Sequence, residues 1–191
     1  AASLGGILWT PEVRQAATAE EWLARLQTVC FSPMAMLNAW ASATKPWDFP
    51  EVADQVREVI QLRMRLLPYL YTAFADYNRK GTPPIRAMIL EDESPMEVLE
   101  VQSAELDDVT NPYADGDIFV FEENDQFMFG PSILVAPYYG EKTKSRRVKL
   151  PKGNWYDFHT GEFAGNGETI EISTPAKMPL FVKEGAVIPM L

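Results

Sequence analysis

A chain of 191 residues, 47% hydrophobic and 12% aromatic, can bury a sizeable core as one large or two small domains, and is not a disordered chain. Its 17 Lys and Arg against 27 Asp and Glu leave a net charge of −10. That disfavours nucleic acid or an anionic membrane as the main partner, because phosphate contacts need clustered cations. The one basic run, Lys142, Lys144, Arg146, Arg147 and Lys149, reads as a solvated strand edge.

In chain order, Ala1-Ala2-Ser3-Leu4-Gly5-Gly6 opens abruptly without an initiator Met, which reads as a cut inside a longer protein. No signal peptide is visible, so periplasm, exterior and cytoplasm all stay open. Leu4 to Trp9 is short and apolar, as expected of a buried strand ending at Thr10-Pro11. Thr18 followed by Glu21 is a capping box opening a helix whose apolar face is Trp22, Leu23, Leu26, Val29 and Cys30. Pro33 ends it. Cys30, the single cysteine, excludes an internal disulfide and reads as a small buried hydrophobe.

Met34 to Trp40 carries no decisive period. Pro50 launches a long helix over about Glu51–Arg79, with Val52, Val56, Val59, Ile60, Leu66, Leu67, Leu70 and Phe74 in helical spacing. Pro68 inside it predicts a kink or a split. Gly81-Thr82-Pro83-Pro84 stops it, and Ile85–Leu90 reads as another short buried strand. Strand, helix, long helix, strand points to the last piece of an α/β fold with parallel strands.

Residues 91–124 are acidic and turn-rich, read as an irregular insertion with one strand at Ile118–Phe121. Asp125–Pro137 turns at Gly130-Pro131 and then runs through Ile133, Leu134, Val135 and Ala136, a strand buried on both faces. Beyond it, Val148–Leu150, Trp155–Phe158, Thr169–Ile172 and Leu180–Val182, separated by Gly and Pro turns, predict an antiparallel sandwich. The expected domains are thus 1–90, 91–124 and 125–191.

The chain has no P-loop, no Gly-x-Gly-x-x-Gly and no Cys/His cluster for zinc, so neither metal nor cofactor is implied. One histidine, His159, and no Gly-x-Ser-x-Gly disfavour a hydrolase triad. No run approaches the roughly 18 apolar residues of a membrane span. Carboxylates, aromatics and polar loop residues remain, the composition of a carbohydrate site. Sugar hydrolysis needs two carboxyl groups across the bond, and nothing here singles out such a pair. Glu12 stands just past a predicted strand and beside Trp9, where α/β barrels gather their working groups; the alternative is a surface glutamate. Asn38 and Trp40 suit hydrogen bonding and stacking to a sugar, or core packing. Asp157 reads as a turn holder.

Five motifs in order resemble glycoside hydrolase family 31, which includes α-glucosidases and α-xylosidases. Leu62–Tyr71 is similar to its "R-x-x-L-x-P-Y-x-Y" helix, and Gly81, Pro83 and Arg86 to its "G-x-P-x-x-R" approach to the last barrel strand. Asp125–Pro137 resembles "D-x-Q-F-M-x-G-P-x-L-L-V-A-P", and Leu150–Phe158 "L-P-x-G-x-W-Y-D-F". Pro179–Pro189 is similar to "I-P-x-F-V-R-x-G-x-I-I-P". The resemblance implies an α+β C-terminal fragment: the last βα units of a (β/α)8 TIM barrel over residues 1–90, then a proximal antiparallel β-sandwich over 125–191. Its implied partners are an α-linked carbohydrate and the rest of its own barrel. In the family the nucleophile and the acid/base are aspartates upstream, so no catalytic residue is expected here and the chain alone is expected to be inactive.

Two departures bear on specificity. Glu12-Val13-Arg14-Gln15 replaces the family's "D-I-G-G", which puts Glu12 at its substrate-binding Asp. Phe31–Asn38 replaces "F-x-P-x-x-R-x-H", with Met36 for the Arg and Asn38 for the sugar-binding His. Together they imply a divergent branch acting on another α-glycoside, an α-galactoside or α-N-acetylgalactosaminide. Two alternatives stay open: a transglycosylase or lyase of the same family, and a non-catalytic carbohydrate-binding or scaffold sandwich carrying Trp155 and Tyr156. Those two aromatics are expected to pack between domains.

Overall fold

The computed structural model describes residues 13, 15–37, 44–91, 125–137, 145–173 and 177–191. The strands expected at Leu4–Trp9 and Ile118–Phe121 lie outside these residues.

Helix α1, Ala19–Cys30, starts as the capping box requires: Glu21 N donates to Thr18 Oγ1 at 3.1 Å, and the Glu21 carboxylate accepts from Ala17 N at 2.6 Å. It buries Trp22, Leu26, Val29 and Cys30 and ends before Ser32-Pro33. The long helix is split, as Pro68 predicts. A 3-10 turn at Pro50–Val52 leads into α2, Ala53–Arg65, and α3, Leu67–Lys80, follows after Leu66. Pro68 falls in the first turn of α3, where its missing N–H has no intrahelical partner to lose.

Eight strands follow: β1 Ile85–Ala87, β2 Phe127–Phe129, β3 Ile133–Val135, β4 Ser145–Lys149, β5 Asn154–Asp157, β6 Phe163–Asn166, β7 Thr169–Ser173 and β8 Leu180–Lys183. Six form an antiparallel sheet in the order β1-β2-β3-β8-β5-β6, and β4 pairs with β7 in a second sheet. Because side chains alternate across a strand, the large sheet has two buried faces. Phe129, Ile133, Val135 and Leu180 join the helices in one core. Met128, Leu134, Trp155 and Phe181 meet Val148 of the small sheet and Leu150 just after it in a second core. Strand β3 is fully buried on both faces, as its unbroken apolar run predicts.

Three expectations are corrected. Ile85–Leu90 is not a buried strand continuing a parallel series: only Ile85–Ala87 is extended, half-buried and antiparallel to β2, and Met88–Leu90 closes a 3-10 turn with Ile89 and Leu90 exposed. Gly81, left-handed at φ 75°, reverses the chain after α3 and delivers it to the edge of the antiparallel sheet. Arg146 is not a solvated edge residue. It is buried, with its guanidinium on Pro137 O, on Asp125 O at 3.2 Å and on the Asp125 carboxylate at 2.7 Å, because β4 crosses over the hairpin ends. Trp155 packs between the two sheets with its Nε1 donating to Pro151 O at 2.7 Å, not between barrel and sandwich.

One side chain ties the helices to the sheet. Tyr69 of α3 is buried, and its hydroxyl donates to Phe129 O at 3.0 Å and accepts from Ser132 N at 2.8 Å, so it closes both ends of the β2–β3 turn. Gly130 N adds a bond to Pro84 O at 2.7 Å. Burial pushes the Tyr69 hydroxyl up to about 12 from 10.0, and pushes the Cys30 thiol up to about 11 from 9.0. Both groups keep a proton in the folded chain that the unfolded chain releases at lower pH. The stability this represents is present below the unfolded values and is lost as pH rises through the folded ones. The urea midpoint is therefore expected to fall steadily from about pH 9 towards pH 12; a midpoint flat across that window would contradict the burial of both groups.

Candidate functional site

The four residues singled out from sequence, Trp9, Glu12, Asn38 and Trp40, lie outside the described residues. Their immediate neighbours are described. Val13 pairs with Leu37 in a parallel bridge, and Val13 N donates to Met36 O at 3.1 Å. Val13 follows Glu12 in the chain, and Leu37 precedes Asn38. Three residues further on, Ala16 N donates to the buried Thr44 Oγ1 at 2.8 Å, and that hydroxyl donates in turn to Ala16 O at 3.4 Å. Helix α1 connects the two bridged segments, giving the strand–helix–strand order of a parallel βαβ unit.

The turn that leads from α1 to Leu37 is held from below. Arg63, buried on α2, donates to Cys30 O at 3.0 Å, to Ser32 O at 2.5 Å and to Pro33 O at 3.0 Å. A guanidinium reaches three carbonyls because its donors are fixed in a planar fork. It also places positive charge at the C-terminal end of α1, where the helix dipole favours it. The Ser32 hydroxyl donates to Val29 O at 2.6 Å, closing the same turn. Arg63 lies 6.0 Å from the Phe129 ring, which links this turn to the β2–β3 hairpin. Arg63 stands within the Leu62–Tyr71 motif, which by itself gives it no role. The available signal is its place on the buried helical stripe, one turn from Val59 and two from Val56, where an arginine needs a set of acceptors.

Other polar residues have structural roles. Asp157 Oδ1 accepts from His159 N and Thr160 N, both at 2.8 Å, so it holds a turn. Cys30 is buried and free, with a thiol pushed up by its burial, so it carries no nucleophile at neutral pH. Among the described residues no group of three His, Cys, Asp or Glu side chains could hold a metal, and no helix is long and apolar enough to cross a membrane.

Comparison with known proteins places this geometry. Residues 2–73 match the TIM-barrel domain of the glycosyl hydrolases of family 31, and residues 81–188 match the family 31 C-terminal domain. An α-xylosidase of Saccharolobus solfataricus is 31% identical over 185 residues, 95% of this chain and 22% of the relative. Alpha-glucosidase 2 of Bacillus thermoamyloliquefaciens is 32% identical over 146 residues, 75% of this chain and 16% of the relative. A family 31 dextranase of Flavobacterium johnsoniae, solved with isomaltotriose, superposes with a TM-score of 0.73 at 29% identity, covering 91% of this chain and 19% of the dextranase. The chain thus spans between 16% and 22% of the length of these relatives. It belongs to glycosyl hydrolase family 31, and it carries the end of that family's barrel together with its C-terminal β domain.

Proposed function

We propose that the protein supplies the sugar-holding end of a retaining α-glycosidase, with Glu12 and Asn38 contacting the sugar in the reacting subsite and Trp9 and Trp40 beside them. The observation that supports this most directly is the parallel bridge between Val13 and Leu37. It joins the chain positions next to Glu12 and Asn38, and parallel pairing is the arrangement of an α/β barrel, whose working groups gather at one end. On this reading Glu12 accepts hydrogen bonds from sugar hydroxyls. Asn38 both donates and accepts through its neutral amide.

The two carboxyl groups that break the glycosidic bond are supplied by upstream strands, as nucleophile and as acid/base. The surface offers support for docking of the remaining barrel: Leu67, Pro68, Leu70, Tyr71, Phe74 and Leu191 line an apolar groove of about 480 Å³, with Tyr71 79% and Leu191 78% exposed. Two large apolar side chains left this bare beside each other suit a covering element better than water.

Met36 and Asn38 take the places of the family's Arg and sugar-binding His, and Met36 is 38% exposed. Loss of a cation and of an imidazole argues against ordinary α-glucosides and favours an α-galactoside or α-N-acetylgalactosaminide. A panel of nitrophenyl α-glycosides on the intact enzyme tests the assignment: kcat/KM is expected to be highest for one of those two sugars, and a clear preference for the α-glucoside overturns it. Asn38→Ala in the intact enzyme is expected to raise KM about tenfold with little change in kcat, the effect of losing one well-placed hydrogen bond. Unchanged kinetics would remove Asn38 from the site. The chain by itself is expected to turn over none of these substrates, and measurable hydrolysis would place a catalytic pair within it.

A further inference from the structure

A second cleft lies between the helices and the β5–β8 part of the large sheet, about 670 Å³ in volume. That is the size of a small-molecule site. Neither Val13 nor Leu37 lines it, so it is separate from the barrel-end site.

Its helical wall presents the side-chain amides of Gln27, Gln55 and Gln61, and none of the three makes a hydrogen bond within the described residues. Each amide offers two N–H donors and a carbonyl acceptor. The charges balance: Glu58 and Asp157 against Arg65 and Lys177, with Lys177 Nζ 3.4 Å from the Glu58 carboxylate. A balanced lining suits neither a phosphate nor a cation.

The opposite wall is aromatic. Phe158 and the half-buried Tyr156 face the cleft, and the Tyr156 ring is braced edge-on by Phe163 at 5.7 Å between centroids. Its hydroxyl donates to the Glu184 carboxylate at 3.4 Å. An aromatic surface facing three side-chain amides that bond none of the described residues matches a pyranose, whose C–H face is apolar and whose rim of hydroxyls both donates and accepts.

We propose that this cleft is an auxiliary saccharide site, binding a neutral mono- or disaccharide without catalysis. The assignment rests on the residues lining the cleft and stands whether or not Glu12 and Asn38 hold the reacting sugar.

The test is a titration of the ¹⁵N-labelled chain with isomaltose, and separately with glucose, followed by NMR. Saturable shifts are expected at the amides of Gln27, Gln61, Tyr156 and Gly161, with a Kd of about 1 mM. The double variant Gln27→Ala/Gln61→Ala replaces two helix-surface residues with the best helix former and should keep the fold. It is expected to weaken binding about tenfold or more. Tyr156→Val, which keeps strand propensity, should weaken it similarly. No saturable shift at these residues with either sugar, or an unchanged Kd in both variants, would overturn the site. Shifts confined to Val13 and Leu37 would also overturn it, while supporting the barrel-end reading, so the two assignments fail separately.

Discussion

Gly130→Ala is expected to destabilise the chain by about 3 kcal/mol or more, one of the largest effects of any single methyl group in it. A Cβ on Gly130 would lie 2.6 Å from Cε1, Cζ and the hydroxyl oxygen of Tyr69. Relief by rotation is closed to this ring, because Tyr69 is 3% exposed and its hydroxyl is held by Phe129 O and Ser132 N. Gly130 also has φ 63°, in the left-handed region where a side chain adds its own cost of about 1 kcal/mol. Urea denaturation of the two chains measures the difference. A cycle with Tyr69→Leu separates the causes: the steric part should disappear in the double variant, and the backbone part should remain. If Gly130→Ala costs the same in both backgrounds, the contact with Tyr69 is not the reason for the glycine.

That contact also shows where sequence information is local and where it is not. Thr18 and Glu21 announce α1 because a capping box is complete within four residues. Pro68 announces the break between α2 and α3 for the same reason, since a missing N–H acts where it stands. Ile133–Val135 reads as doubly buried because both of its faces are apolar in the sequence itself. By contrast, β2 was not foreseen. It is only three residues long and is preceded by the polar Gln126, which is buried and bonds both Lys149 O at 2.7 Å and Lys149 N at 3.0 Å, standing in for a strand neighbour across 23 positions. Strand β6 carries no local signal, because Phe163-Ala164-Gly165-Asn166 contains two residues that disfavour strands, and it forms where Trp155 and Tyr156 supply a partner. Arg146 reads as one more lysine-type edge charge, because the acceptors that bury its guanidinium end come from Asp125 and Pro137, far from β4 in the chain. Glu12 and Asn38 are weak local candidates, polar residues near an apolar run and beside a tryptophan, and only the family resemblance gives them substrate-binding positions.

Arg63→Met, which removes the charge and keeps the length, is expected to cost about 3 kcal/mol. The buried guanidinium is desolvated, which lowers its pKa, so deleting it recovers part of that penalty. Against this, the carbonyls of Cys30, Ser32 and Pro33 all lose their donor at once, and at least two of them are deep enough that water cannot replace it. The loss outweighs the gain because each unsatisfied buried carbonyl costs about 1–3 kcal/mol. Arg63→Lys should recover little, since a single ammonium cannot span three acceptors arranged around a planar fork. Two readouts divide the consequence. In the isolated chain, urea denaturation reports the lost stability, and a Met variant within about 0.5 kcal/mol of the native chain would show that the three carbonyls find other donors. In the intact enzyme, the Lys variant reports position rather than stability. The turn that Arg63 clamps leads through Leu37 to Asn38, so loosening it should raise KM for the α-glycoside while thermal stability changes less than in the Met variant. A Lys variant with native KM would separate the clamp from the proposed sugar site and leave Arg63 a purely structural residue.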